Sequence, residues 1–229
     1  KQLIQRLVTS NPSPAYVAAV SAAFANNGNG VRGDMRHVVK TILMHAEARQ
    51  SGNSAGKVRE PVVRLANFMR AFNVRSTSGL YTGIGNTDDP ATRLNQTPMF
   101  SPSVFNFFRP GYVPAGTGIA ASALLAPEFQ LANESSVAGY LNYMQTVVAL
   151  GHADLKPDYS AELALASDAS ALLARVDLLL CAGQLQASSR STILNAINSI
   201  TATTAAGRNN RVYTAVLLVM ACPDYLVQR

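Results

Sequence analysis

The sequence is 229 residues long, 48% hydrophobic and only 14% charged, with a formal net charge of +6. That composition supports one large core or two small ones and excludes a disordered chain. Arg far outnumbers Lys, the cations are scattered, and no basic run interleaves with aromatics, which argues against a nucleic-acid partner.

In chain order, Leu3, Ile4, Leu7 and Val8 recur at helical spacing, so residues 1–9 read as a helix that starts abruptly, as if inside a domain. Ser13 then caps a helix opened by Pro14 and carrying Tyr16, Val17, Val20 and Phe24. The NNGNG run at 26–30 is a turn, because Asn and Gly tolerate positive φ. It lacks the alternating acids and closing Glu of a calcium loop. Asp34 caps a helix bearing Met35, Val38, Val39, Ile42 and Leu43. Residues 50–57 read as a polar linker. Arg59, Glu60 and Pro61 open the next helix, with Glu60 in its first turn and Val62, Leu65, Phe68, Met69 and Phe72 on its apolar face.

From Asn73 to Ala126 no long helix is expected, and Gly79, Gly83, Gly85 and Asp88-Asp89-Pro90 mark turns. This stretch holds FSPSVFNFFRPGY, Phe100 to Tyr112, with half of the chain's eight Phe residues. Its prolines forbid a long helix, and its rings predict a buried plug inserted between helices. A guanidinium inside such a plug, Arg109, is expected to pair with a carboxylate such as Glu60 or Glu128, or to stack on a ring. A helical region starts at Ala126-Pro127-Glu128. Asn133 or Ser135 caps a longer helix that Gly151 ends. Three helices, roughly Ala169–Ala182, Ser189–Ile200 and Arg208–Ala221, close the chain, with Gly183 and Gly207 at helix ends and Pro223 as a stop.

If those three helices run up, down and up, Cys181 and Cys222 arrive at the same end. They then form either a disulfide or two buried free thiols. No apolar run reaches the ~18 residues of a membrane span, and no signal peptide is visible. There is no nucleophile elbow, phosphate loop or dinucleotide fingerprint. His37, His45 and His152 are spaced wrongly for a zinc site, so no metal or other cofactor is expected. Carboxylate chemistry needs only two acids at the right separation. The candidates are Glu60, Glu128 and Glu134, although Glu60 and Glu128 also suit the first turn of a helix beside Pro.

LVTSNPSPAYV, NGNGVRGDMRHVVKTIL, REPVVRLANFMRAF, SPSVFNFFRPGYVP, LLAPEFQLANESSVAGYLN and RVYTAVLLVMACPDYLVQR run almost from end to end, and they resemble the DUF1800 family. The resemblance implies a largely helical, exported bacterial protein of unknown function, periplasmic or extracellular. Such proteins are often encoded beside alkaline-phosphatase-like exported proteins. It also implies that the chain is the C-terminal half of a larger protein, so its partners would include its own N-terminal region or the co-encoded protein. It supplies no catalytic residues, and Cys181 and Cys222 stand where Met-like and Ser-like residues are expected.

The expectation is therefore an all-α, irregular domain of about eight helices: residues 1–72, an aromatic insertion at 73–126, and residues 127–229. Its first functional reading is a binding or scaffold module acting on a partner protein or surface polymer. Its second is a hydrolase of a polysaccharide or ester, with Glu60, Glu128 and Glu134 as acid/base candidates. Arg59, Arg109, Phe107, Phe108 and Tyr112 are the expected binding residues, with the RE, RPGY and APEFQ segments meeting at one pocket.

Overall fold

A computed structural model describes residues 1–50, 55–81 and 84–228. Part of the expected polar linker and the turn at Gly83 lie outside these residues. The described chain is all-α in class. In order its helices are α1 (Gln2–Leu7), α2 (Pro14–Ala25), α3 (Met35–Met44), α4 (Pro61–Ala71), α5 (Gly118–Ala121), α6 (Glu134–Leu150), α7 (Ser160–Leu165), α8 (Ala169–Cys181), α9 (Ala187–Asn198), α10 (Ala205–Ala221) and α11 (Pro223–Leu226). Four two-residue strands are β1 (Lys57–Val58), β2 (Arg75–Ser76), β3 (Leu155–Lys156) and β4 (Val227–Gln228), paired antiparallel as β1–β4 and β2–β3. The short helices α5, α7 and α11 take the count past the eight expected. Each spans six residues or fewer, too short for a periodic pattern to reveal.

Contacts group the chain into two compact units. The first comprises Lys1–Val58, Phe105–Gln130 and the last residues from Val227. Its core is Ile4, Tyr16, Val20, Val38 and Ile42, from α1, α2 and α3. The expected caps form: Ser13 accepts from the Tyr16 N–H and Asp34 from the His37 N–H. The turn at 26–30 closes as Asn26 and Asn27 side chains accept N–H groups from Gly28, Asn29, Gly30 and Val31. His45 stacks on Tyr16 with ring centroids 4.2 Å apart, which accounts for it structurally.

The second unit comprises Arg59–Val104 and Leu131–Leu226. Helix α10 is its axis, packing against α6, α7, α8, α9 and α11. Val212, Ala215, Val216, Val219 and Met220 recur every three or four residues and are all fully buried. Each large apolar side chain so buried contributes about 1.5–3 kcal/mol. Asn133 and Ser136 form a capping box on α6, Asp168 caps α8, and Thr204 caps α10. Gly207, expected at a helix end, instead lies in the first turn of α10. A Cβ there would meet the Thr201 carbonyl oxygen at 2.1 Å, so close approach explains the glycine. Pro223, expected as a stop, ends α10 but opens α11.

One buried cation supports this helical layer. Arg211 is 9% exposed, and it donates to the Ile200, Ala166 and Ser167 carbonyls at 2.8, 3.1 and 3.4 Å. These are orphan acceptors beyond the ends of α9 and α7. Arg211→Met leaves them unsatisfied, so we expect a loss of about 2–3 kcal/mol, read as a lower urea midpoint. An unchanged midpoint would contradict this role.

Candidate functional site

The aromatic segment is not a buried plug. Phe108 alone is fully buried, in the first unit, with the Arg6 guanidinium 4.1 Å above its ring. Phe107 and Tyr112 are half-buried, whereas Phe105 and Arg109 are exposed. Turns with positive φ at Met99 and Asn106 swing successive side chains in different directions, so only one ring enters the core. Arg109 makes no ion pair and no ring contact among the described residues, and its backbone N–H donates to the Gln130 side chain at 2.9 Å. The expectation of a buried, paired guanidinium is therefore overturned. The RPGY and APEFQ segments do meet within this unit, through the Ala126 N–H to Tyr112 carbonyl bond of 2.9 Å. Arg59 and Glu60 belong to the second unit.

Glu128 lies in the first turn of a 3₁₀ helix, Pro127–Leu131, and is 3% exposed. Its partner is Lys57, at 3.4 Å, which also donates to the Arg6 carbonyl at 2.8 Å. Ser10 reaches its other oxygen at 3.5 Å. Beside this pair, the Asn11 side chain exchanges two hydrogen bonds with the Leu125 backbone, at 2.9 and 2.8 Å. These contacts give Glu128 a structural use: it ties α1 to the segment that follows the aromatic stretch.

In the second unit, two guanidiniums lie on two tyrosines. Arg59 sits 4.6 Å from the Tyr225 ring centre and donates to the Leu180 carbonyl at 3.0 Å. Arg64 sits 4.8 Å from the Tyr140 ring centre and donates to the Arg59 carbonyl at 2.8 Å. Burial pushes the Tyr140 phenol up to about 12, and it raises Tyr225 while lowering Arg64. Glu60 is the residue before α4, not in its first turn, and makes no capping bond. Its carboxylate accepts instead from Gln96 at 2.7 Å, and Gln96 accepts from the Val62 N–H at 3.1 Å. Glu134 is exposed in the first turn of α6, where a negative charge suits the helix dipole.

Three features escaped the sequence reading. The first is an open cleft of about 470 Å³ lined by Asn86, Asp88, Asp89, Arg93 and His152. Its Asp89 carboxyl is held low by the Thr92 hydroxyl and the Ala91 N–H, which makes it a turn cap. No group of three or more His, Cys, Asp and Glu side chains among the described residues is arranged to hold a metal. The second is the exposed apolar loop of the second unit. Met99 is fully exposed, Phe100 is 65% exposed and Val104 is 95% exposed. The signal was there in FSPSV, but rings beside Pro and Ser are read as core by default. The third is the Arg–Tyr stacking around α4, which no local pattern encodes.

The first and third helices of the α8–α10 set do bring Cys181 and Cys222 into one cluster. Both are free thiols, and they are hydrogen-bonded to each other. Among the described residues, no helix is long and apolar enough to cross a membrane.

No curated protein and no solved structure is significantly similar to the chain. A family model described as a protein of unknown function, DUF1800, matches residues 1–227. With that match spanning almost every residue, the chain belongs to the DUF1800 family.

Proposed function

We propose that the chain is a binding module whose apolar loop at 99–104 anchors a partner protein. The observation that carries this reading is the exposure of Met99, Phe100 and Val104 within six residues. Contiguous exposed apolar groups mark interaction sites, and one aromatic anchor seated in a partner's pocket supplies much of an interface's energy. The net charge of +6 favours a partner with an acidic rim. The resemblance to exported bacterial proteins supports a place outside the cytoplasm. It also supports two partners to try first: the N-terminal region of the same protein and the co-encoded phosphatase-like protein.

The hydrolase reading has less support. Glu128 is already engaged by Lys57 and Ser10, and Glu60 by Gln96. Isothermal titration of the chain against each of the two partners tests the binding reading. We expect the double substitution Phe100→Ser and Val104→Ser to weaken binding by about 30-fold or more. Because both side chains are exposed, stability should stay within about 0.5 kcal/mol. Unchanged affinity in the variant, or no binding to either partner, would remove the basis for this reading.

A further inference from the structure

We propose that Cys181 and Cys222 form a thiol–disulfide exchange centre that takes low-molecular-weight disulfides of the glutathione class. Helix α8 ends at Cys181, and Cys222 is the residue that caps α10. The packing of α8 on α10 brings the two residues into one apolar cluster, and the Gln186 N–H just past α8 donates to the Asp224 carboxylate just past Cys222 at 3.1 Å. Their exposure differs: Cys181 is 4% exposed and Cys222 is half-buried. Of the two residues, Cys222 is the more accessible to a reagent. That is the arrangement of an attacking thiol and a resolving thiol.

The surroundings support the same assignment of roles. The hydrogen bond from Cys181 pulls the Cys222 thiol down to about 7, aided by the Tyr225 and Asp224 N–H groups, while burial and the Asp224 carboxylate oppose this. The same hydrogen bond raises Cys181, and burial, the Cys222 charge and Asp177 add to the effect, against the Arg59 cation. Tyr140 also lies close enough to interact with Cys222. Asp177 is ion-paired with Arg190. Of the two, Cys222 is therefore the thiol that ionises first, and Cys181 is the one that keeps its proton.

The Cys222 thiolate attacks one sulfur of the oxidised glutathione, breaks its S–S bond, and releases one glutathione thiolate. Cys181 then loses its proton and attacks the Cys222 sulfur of the mixed disulfide, releasing the second glutathione thiolate. The protein dithiol is oxidised by two electrons, the disulfide reagent is reduced, and the protons go to the two glutathione thiols. The product locks the C-terminal ends of α8 and α10 together and closes the long loop between them.

The test uses the whole chain, reduced, freed of reductant, and incubated with oxidised glutathione at pH 7.5. We expect the wild type to lose both titratable thiols without retaining glutathione, and its Tm to rise by about 10 °C. Cys181→Ala should retain one glutathione on Cys222, because no resolving thiol remains. Cys222→Ala should stay unmodified. The rate of Cys222 alkylation by iodoacetamide should rise through an inflection near 7 in the wild type. That inflection should move upward in Cys181→Ala, where the hydrogen-bond donor is gone. Two thiols still titrating in the treated wild type would overturn the proposal. So would glutathione retained on the wild type, or attached to Cys181 in Cys222→Ala. If either alanine variant fails to fold, the wild-type thiol count, mass and alkylation profile still decide the matter.

Discussion

Lys57→Met should lower the stability of the chain by about 3–5 kcal/mol, the cost of leaving a buried charge without its partner. The Lys57 and Glu128 side chains are only 7% and 2% exposed, and their charged atoms are 3.4 Å apart. Once the ammonium is removed, Glu128 keeps only Ser10, at a long 3.5 Å, and the Arg6 carbonyl loses the Lys57 donor. Water cannot reach the carboxylate to compensate. The double variant Lys57→Met with Glu128→Leu should recover most of the loss, since an apolar pair removes both desolvation penalties. Recovery should stop about 1 kcal/mol short, because the Lys57 hydrogen bond to the Arg6 carbonyl is not restored. Urea midpoints of the wild type, both single variants and the double variant measure the coupling. If Lys57→Met lies within about 1 kcal/mol of the wild type, the pair is not holding α1 in place. The same cycle bears on function. A carboxylate spent on this contact is not free for acid/base chemistry, so Glu128→Gln should lower stability whatever activity the full protein has.

Gly139→Ala sets two effects against each other. Helix propensity alone makes Ala better than Gly in the middle of α6 by about 1 kcal/mol. The tertiary contact points the other way. A Cβ at position 139 would meet the Pro90 carbonyl oxygen at 2.3 Å and the Ala91 carbonyl carbon and oxygen at 2.9 Å. These are backbone atoms of the turn begun by Asp88-Asp89-Pro90, so they cannot swing aside as a flexible side chain would. Either the turn lifts from α6 or the helix bends. We expect a net loss of about 2–3 kcal/mol, with overpacking overriding propensity. The lining of the Asn86–Arg93 cleft should be disturbed at the same time. Gly118→Ala is the control, because nothing lies within 4 Å of a Cβ there. It should change stability by less than about 0.5 kcal/mol. A Gly139→Ala variant as stable as the wild type would mean that the turn does not rest on the helix.

Much of the fold was legible in the sequence because the signals were local. Ser13 and Asp34 announce α2 and α3, since a capping oxygen needs only an N–H three residues ahead. Leu65, Phe68 and Phe72 lie on one side of α4 because 3.6 residues make a turn, and all three are buried. The candidate site was far less legible. Phe105 and Phe108 are three residues apart in a segment with no regular period, yet one is exposed and the other fills a core. Composition could not separate them, because their fate depends on turns at Met99 and Asn106 and on α1 lying where Phe108 lands. Arg109 was expected to be buried because its neighbours were. Pro110-Gly111 marks the turn that the Tyr112 N–H closes on the Arg109 carbonyl at 3.1 Å, but a turn signal does not say which way the side chain beside it faces.

What the sequence determines by itself is the helical class, the positions of the longer helices, and membership of the DUF1800 family. Caps, apolar periodicity and long ordered motifs act between near neighbours along the chain, and they can be read there. The tertiary structure alone decides which carboxylates are spent on contacts, which rings stay in solvent, and that two thiols on different helices touch. Lys57 and Glu128, Glu60 and Gln96, and Cys181 and Cys222 are each far apart in sequence. Partners so distant are chosen by how helices pack against each other. Packing energy belongs to the whole set of buried surfaces and to no single stretch of chain.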